Sequence, residues 1–293
     1  MDILITGAGG FIGGNIAERL APRHSLTLLF RRPPSRAVPG CRIVAADLAE
    51  GLLDHPELSG RRFDAILHAA AQSPGPGVSA DDFVRSNVLG TRSVAEFAHR
   101  NGVGKVVYLS SLSVCGTVLD PVLDEETPVL NPDVYGLTKR LGELILQELD
   151  GTATLSLRLP GVVGRGAKNG WMCRTARALL RNETVSIYNP DGAFNNVIHT
   201  DSLSDFVEGA LAQGWTGHEL LVLGASDPLT VRGTVQLLKD LLRSGSEIVV
   251  ERGGKTPFTL SIQRARERFA YRPLSTKKNV ELFTAQRASF RSA

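Results

Sequence analysis

The sequence predicts an α/β fold in which a parallel sheet is wrapped on both faces by helices, and three observations predict it. Short runs rich in Val, Ile and Leu alternate with amphipathic segments from Met1 to about Leu159, as expected of strands buried on both faces and joined by crossover helices. The runs recur at regular intervals along this half of the chain. Between the first run and the first helical segment stands a glycine-rich turn, Gly7-Ala8-Gly9-Gly10-Phe11-Ile12-Gly13.

Taken in order, residues 3–6, 26–30, 42–46, 65–68, 105–110 and 154–159 are predicted as strands because each is a short apolar run. Helices are predicted over 11–20, which the glycine turn opens, over 82–101, and over 134–149, which follows the breaker-rich Asn131-Pro132-Asp133. Right-handed crossovers would close these into a Rossmann-type, doubly wound sheet. Beyond Gly161 the rhythm loosens, with loop-like stretches at 161–170 and 189–195 and helices predicted over 171–180, 201–212 and 231–242. The expected organisation is a nucleotide-binding domain over 1–160, to which 196–224 returns, and a smaller, mostly substrate-binding lobe over 161–293.

Composition narrows the class. With 293 residues, 42% hydrophobic and 22% charged, the chain is neither disordered nor collagen-like. The formal charge of +3 comes from 33 basic and 30 acidic residues spread along the chain, which gives no basic surface for nucleic acid. Cys41, Cys115 and Cys173 are far apart, without a C-x-x-C pair or a histidine at a metal-like interval, so they read as buried thiols and no metal is expected. Neither a basic-plus-apolar leader nor a stretch of membrane-spanning length is seen, and a reducing, cytoplasmic setting without membrane attachment is expected.

The residues that carry chemistry come in sequence order. Gly7 permits a tight turn, Gly10 lets a pyrophosphate approach the backbone, and Gly13 lets helix and strand pack closely. The helix that begins there offers free N–H groups and a favourable dipole to phosphate. At the end of the second strand, where an acidic residue would hold ribose hydroxyls, the chain has Arg31 and Arg32. Two guanidinium groups suit a 2′-phosphate, which points to NADP rather than NAD, the alternative being that both are solvated surface charges. Asp47, followed by Leu48, is placed either to accept from an adenine amino group or to cap a helix.

Tyr135 and Lys139 lie four residues apart on a predicted helix and so share a face. A phenol with an ordinary pKa near 10 must fall about three units, roughly 4 kcal/mol, to exchange protons readily at neutral pH. One cation about 4 Å away supplies around that amount at an effective dielectric of about 20. Upstream, Ser110-Ser111-Leu112-Ser113-Val114-Cys115-Gly116 follows the fifth strand and places hydroxyls where a substrate oxygen would be held.

With these motifs in place the chain resembles the extended short-chain dehydrogenases/reductases of the NAD-dependent epimerase/dehydratase family. The resemblance rests on the glycine turn, His68-Ala69-Ala70-Ala71, Ser86-Asn87-Val88-Leu89-Gly90-Thr91, the serine cluster, Tyr135 with Lys139, Arg158-Leu159-Pro160-Gly161-Val162-Val163-Gly164, and Val197-Ile198-His199-Thr200-Asp201. It implies that Ser111 and Tyr135 are catalytic and that Lys139 binds nicotinamide ribose while lowering the tyrosine pKa. It further implies cofactor contacts at Gly7, Gly10, Phe11, Ile12, Gly13, Arg31, Arg32, Asp47, Leu48, Ala69, Ala70, Ala71, Asn87 and Pro160. Substrate contacts are implied at Gln72, Ser111, Ser113, Tyr135 and Asn195. His68 and His199 match structural positions, and the loop 73–77 is expected to border the nicotinamide site.

Three departures bear on the substrate. Leu112-Ser113 stands where the family's dehydratases carry an Asp-Glu pair, Asn195-Asn196 stands where an arginine often binds a diphosphate, and Cys115 stands where a tyrosine often flanks the substrate. Dehydration is disfavoured and the nucleotide-sugar reading weakened, though Arg174, Arg177 or Arg181 offers charge from the second lobe. The expectation is an NAD(P)-dependent reductase or dehydrogenase acting on a sugar-like or small carbonyl or alcohol. The alternatives are a nucleotide-sugar epimerase and, from another class, a non-catalytic NAD(P)-binding sensor. A homodimer through the helices over 82–101 and 134–149 is implied by the resemblance.

Overall fold

The structure, a computed structural model, describes residues 1–34, 38–254 and 256–286. Its first strand, β1 (Asp2–Thr6), buries every residue but the first, because helices or strands cover it on all sides. The others of the central sheet are β2 (Ser25–Phe30), β3 (Arg42–Ala45), β4 (Ala65–His68), β5 (Lys105–Ser111), β6 (Ala153–Leu159) and β7 (His218–Val222). Among the described residues the sheet has seven strands in the order β7-β6-β5-β4-β1-β2-β3. Pairing from β3 through β5 is parallel, with Ile3 opposite both Leu26 and Ala65. The order reverses between β1 and β4, and in such a sheet a crevice opens at the carboxyl ends of the strands at that point.

Helix α1 (Phe11–Leu20) follows β1 directly and buries Gly13, Ile16, Ala17 and Leu20. The predicted helix over 82–101 is found as a continuous run that is not uniform. Ser79 and Asp82 close a capping box on α2 (Ala80–Phe83), a π-helical turn occupies Val84–Leu89, and α3 (Gly90–Arg100) continues from it. Helix α4 (Val134–Gln147) is capped by Asp133, whose carboxylate accepts from the Gly136 N–H at 2.7 Å. Val94, Phe97 and Ala98 of α3 and Leu146 of α4 pack with Leu4, Ile66, Val106 and Tyr108 of the sheet in one buried cluster. Each such Val, Leu, Ile or Phe side chain contributes about 1.5–3 kcal/mol by leaving water.

The chain divides into two compact units, Met1–Thr117 with Val129–Arg158 and Ser204–Leu221, and Val118–Pro128 with Leu159–Leu203 and Val222–Ala293. Against the expected boundaries, Val118–Pro128 falls in the second unit, and the returning segment is Ser204–Leu221 rather than 196–224. The reason lies in pairing. Val122–Leu123 forms a parallel pair with Thr259–Leu260, and the Glu125 carboxylate accepts from the Val222 N–H at 2.7 Å. The second unit also contains helices α5 (Trp171–Leu180), α7 (Val231–Leu242), α8 (Gln263–Phe269) and α9 (Thr276–Ala285), while α6 (Thr200–Ala212) runs from one unit's sequence into the other's.

Candidate active site

At the carboxyl ends of β1 and β4 lies a cleft of about 370 Å³. Gly7 and Gly10 line it, together with Arg31, Arg32, Asp47 and Leu48 from the ends of the second and third strands, and Ala69, Ala70 and Ala71 after the fourth. These nine expected cofactor positions therefore come together. Gly7 has φ +70°, and a Cβ there would stand 2.5 Å from the Ala70 nitrogen, so only glycine fits. A Cβ at Gly13 would run into the Gly7 carbonyl. Gly10 caps α1 without a side chain, which leaves first-turn N–H groups open to a phosphate.

Asp47 lines the cleft and caps the short turn Leu48–Glu50 through the Ala49 N–H at 3.0 Å. Burial acts to raise its carboxyl pKa, but the Ala49 N–H and Arg85 outweigh that and hold it below the ordinary value. Gly9, Leu29, Phe30, Ala46 and Ser86 also line the cleft and were not singled out from sequence. Gly9, Phe30, Ala46 and Ser86 each adjoin an expected residue, and Leu29 lies one position further back along its strand.

The wall at 69–72 is held from behind by side chains. Asn87, on the π-helical turn, accepts from the Gln72 N–H at 2.7 Å and donates to the Gln72 carbonyl at 3.2 Å and to Thr138 Oγ1 at 3.0 Å. Thr138 in turn donates to the Tyr135 carbonyl at 2.9 Å. Asn87, expected among the cofactor contacts, is 1% exposed, and its amide holds the wall in place. Gln72, expected at the substrate, lines the cofactor cleft. His68 is a satisfied core residue bonded to Thr6 Oγ1 at 2.7 Å and Thr91 Oγ1 at 2.9 Å. Burial, aided by the Lys139 charge, pushes its pKa down to about 3, so it is neutral.

Ser111, Tyr135 and Lys139 lie in one unit, at the end of β5 and on α4. Ser111 stands near enough to the Tyr135 phenol to lower its pKa, and its Oγ accepts from the Ser113 N–H at 3.1 Å. That bond makes Ser111 the cap of the short turn Leu112–Cys115. The sequence-based expectation that Lys139 lowers the Tyr135 pKa is not what the geometry does. Burial raises the phenol above its ordinary value, Ser111 pulls it down in part, and Asp133 adds to the rise. Lys139 instead points its Nζ at the ring of Tyr108, 4.0 Å from the centroid. Burial pushes the lysine down to about 7, against the opposing pull of Glu143.

One turn beyond Lys139, Glu143 is fully buried and held by Arg158 through two bonds of 3.0 and 2.9 Å, by Ser110 at 2.6 Å and by Arg140 at 3.0 Å. Burial raises its carboxyl pKa, yet Arg158, Ser110 and Arg140 outweigh it and the net shift is downward. Sequence reading missed Glu143 and Tyr108. The spacing Lys139 to Glu143 was the available signal, but a lysine and glutamate four apart are common on solvated helix faces.

Phe11 and Ile12 open α1 beside the cleft without lining it. Pro160 and Asn195 belong to the second unit. There Asn195 is buried, donating to the carbonyls of Ala225 at 3.1 Å and Leu260 at 3.0 Å and accepting from the Leu260 N–H at 2.8 Å. Its amide, expected at the substrate, stitches the unit's backbone. Among the described residues no group of three His, Cys, Asp or Glu side chains is arranged to hold a metal, and no helix is long and apolar enough to cross a membrane.

A parallel sheet with this strand order, a glycine turn opening onto its cleft and a Ser-Tyr-Lys set define an extended short-chain dehydrogenase/reductase. The chain belongs to the NAD dependent epimerase/dehydratase family, whose model matches residues 3–212. It is similar to the dTDP-glucose 4,6-dehydratase of Streptomyces antibioticus, 25% identical over 301 residues that cover 93% of this chain and 88% of that protein. It is also similar to the 2-alkyl-3-oxoalkanoate reductase of Stenotrophomonas maltophilia, 32% identical over 57% of this chain and about half, 52%, of that protein. The solved structure of MoeE5 in complex with UDP-glucuronic acid and NAD superposes with a TM-score of 0.83 at 23% identity over 100% of both chains, which shows the fold.

Proposed function

We propose that this protein is an NADP-preferring reductase or dehydrogenase acting on a sugar-like or other small carbonyl or alcohol. The observation that carries the reading is the gathering of Ser111, at the end of β5, with Tyr135 and Lys139 on α4 in one unit, where Ser111 acts to lower the pKa of the Tyr135 phenol. The cleft fits the dinucleotide, since Gly7, Gly10 and Gly13 are positions where a Cβ would collide or crowd the turn. When bound, the nicotinamide supplies or accepts the hydride. Ser111 orients the substrate oxygen, Tyr135 gives or takes the proton at that oxygen, and Lys139 supplies positive charge beside them.

Arg31 and Arg32 line the cleft, which supports a 2′-phosphate ligand. Leu112 and Ser113 after Ser111 offer no acid/base pair, which speaks against dehydration even though one matched relative is a dehydratase. The second reading, a nucleotide-sugar epimerase, is favoured by the family itself and uses the same residues to oxidise and re-reduce one carbon. Cys115 and Cys173, buried thiols that form no disulfide, support a reducing cytoplasmic setting. Val134, Leu137, Leu141 and Leu144 stand exposed along α4, an apolar stripe that supports a homodimer through this helix and the run over 80–100.

Titration with NADPH and NADH, repeated on Arg31→Ala and Arg32→Ala, tests the coenzyme; NADH binding at least as tightly as NADPH overturns the preference. Stoichiometric NADPH oxidation with a carbonyl substrate supports the reductase. Coenzyme that co-purifies and is never consumed supports the epimerase.

A further inference from the structure

Lys139 is 1% exposed, so its ammonium has little water to solvate it. Among the described residues no carboxylate stands within ion-pairing distance of it. Glu143, the acid one turn on, is instead bound by Arg158 and Arg140. What the ammonium meets is the face of Tyr108, with Nζ 4.0 Å from the ring centroid. An aromatic face is electrostatically negative and attracts a cation more strongly where water is excluded. The surroundings fix that ring: Tyr108 is fully buried, it stacks on His68 at 5.3 Å and 23°, and a Cβ at Gly142 would collide with its hydroxyl. The glycine lets α4 descend onto the edge of the tyrosine, which places Lys139, one turn earlier, over the ring.

We propose that Tyr108 is a positioning residue of the hydride-transfer site, its ring face being the seat that holds the Lys139 ammonium in place and charged inside the protein. This rests on the assignment of Lys139 to that site. Burial drives Lys139 towards its neutral form, to about 7, so a small loss of local attraction changes its charge at neutral pH. The groups that act on it are Glu143 on its own helix, Tyr108 from β5 and His68 from β4, with Arg140 and Arg158 beyond, both paired with Glu143. His68 is neutral, and Arg158 and Arg140 are engaged by Glu143. No other cation competes for the ring among these groups.

The test alters the electronic character of the ring while keeping its shape. Protein labelled with ¹³C and ¹⁵N at lysine is made with Tyr108→Phe and with pentafluorophenylalanine at the same position, and the Lys139 signal is assigned by its loss in Lys139→Arg. The titration midpoint of Lys139 stays close to the parent in Tyr108→Phe, and fluorination lowers it by about one pH unit, a tenfold weaker hold on the proton. A midpoint indifferent to fluorination overturns the proposal, as does a Tyr108→Phe shift as large as the fluorinated one, which would assign the effect to the hydroxyl. Tyr108→Leu moves the midpoint the same way where it folds, and the fluorinated pair stands without it. Because the titration needs no substrate, the two readings fail separately. A normal fluorine response in a protein that transfers no hydride removes the catalytic assignment alone, and an unresponsive lysine in an active enzyme removes the Tyr108 seat alone.

Discussion

Asn87 grips the backbone of Gln72 at both ends, accepting its N–H at 2.7 Å and donating to its carbonyl at 3.2 Å, and the same amide reaches Thr138 of α4 at 3.0 Å. One side chain thus ties a wall of the cofactor cleft to the helix that carries Tyr135 and Lys139. The π-helical turn at Val84–Leu89 makes this reach possible, because an extra residue in the turn re-aims a side chain that a regular helix would direct elsewhere. Asn87→Ala leaves buried backbone groups unpaired, at a cost of about 1–3 kcal/mol. The expected result is a lower unfolding midpoint together with coenzyme affinity weakened about tenfold, since about 1.4 kcal/mol is a factor of ten. Asn87→Asp keeps the acceptor and falls between the two; thermal melts and fluorescence titration of the reduced coenzyme measure both effects.

Tyr135→Phe retains the ring and its contact with Phe83, whose centroid lies 5.9 Å away, but removes the proton. Turnover is expected to fall by about 10²–10⁴, the usual contribution of a positioned acid or base, with coenzyme affinity little changed. Full turnover in this variant would end the acid/base assignment.

Lys139 makes stability depend on pH with a definite sign. Its proton is held less tightly in the folded chain, to about 7 from an ordinary 10.5, so the unfolded chain binds more protons between those values. Stability from this group is therefore greatest above about pH 10.5 and is lost as the pH falls towards 7. Lys139→Met removes the cost, and at pH 7 the variant is expected to be more stable by on the order of 2 kcal/mol while losing activity. Urea unfolding of both proteins at pH 7 and pH 10 reads this directly, and the gap between them should narrow at the higher pH.

The buried pair of Glu143 and Arg158 behaves in the opposite sense. Glu143 is held below its ordinary pKa, so its contribution is present above the unfolded value and lost as pH falls through the folded one. Arg158→Met leaves a buried carboxylate without its main partner, which costs about 3–5 kcal/mol at pH 7. Lowering the pH to 4 should shrink that cost as the carboxyl takes a proton, and adding Glu143→Leu should recover much of it at pH 7. Equal losses at the two pH values would contradict the pairing.

Leu137 and Leu141, 53% and 44% exposed on α4, give the homodimer its test. Replacing both by glutamate should convert the protein to a monomer in sedimentation without lowering its melting temperature by more than about 0.5 kcal/mol equivalent, as for surface changes generally. A parent that sediments as a monomer at every concentration would exclude the dimer.

Much of the fold was legible because its signals are local. The helices predicted over 11–20, 171–180 and 231–242 coincide with Phe11–Leu20, Trp171–Leu180 and Val231–Leu242, and the six predicted strands are found within a residue or so at each end. What was not legible depends on partners distant in sequence. Val118–Pro128 changes units because Val122–Leu123 pairs more than a hundred residues away, and Asn195 turns inward because Ala225 and Leu260 meet it there.

The sequence by itself determined the order of strands and helices, the glycine turn and the presence of Ser111, Tyr135 and Lys139, since periodicity, turn chemistry and motif spacing are properties of neighbours along the chain. Only the tertiary structure decided what those groups feel. Tyr135 is raised by burial rather than lowered by its lysine, and Lys139 faces Tyr108, because desolvation and ring contacts arise only when α4 is laid against β5, and no spacing along one helix encodes them.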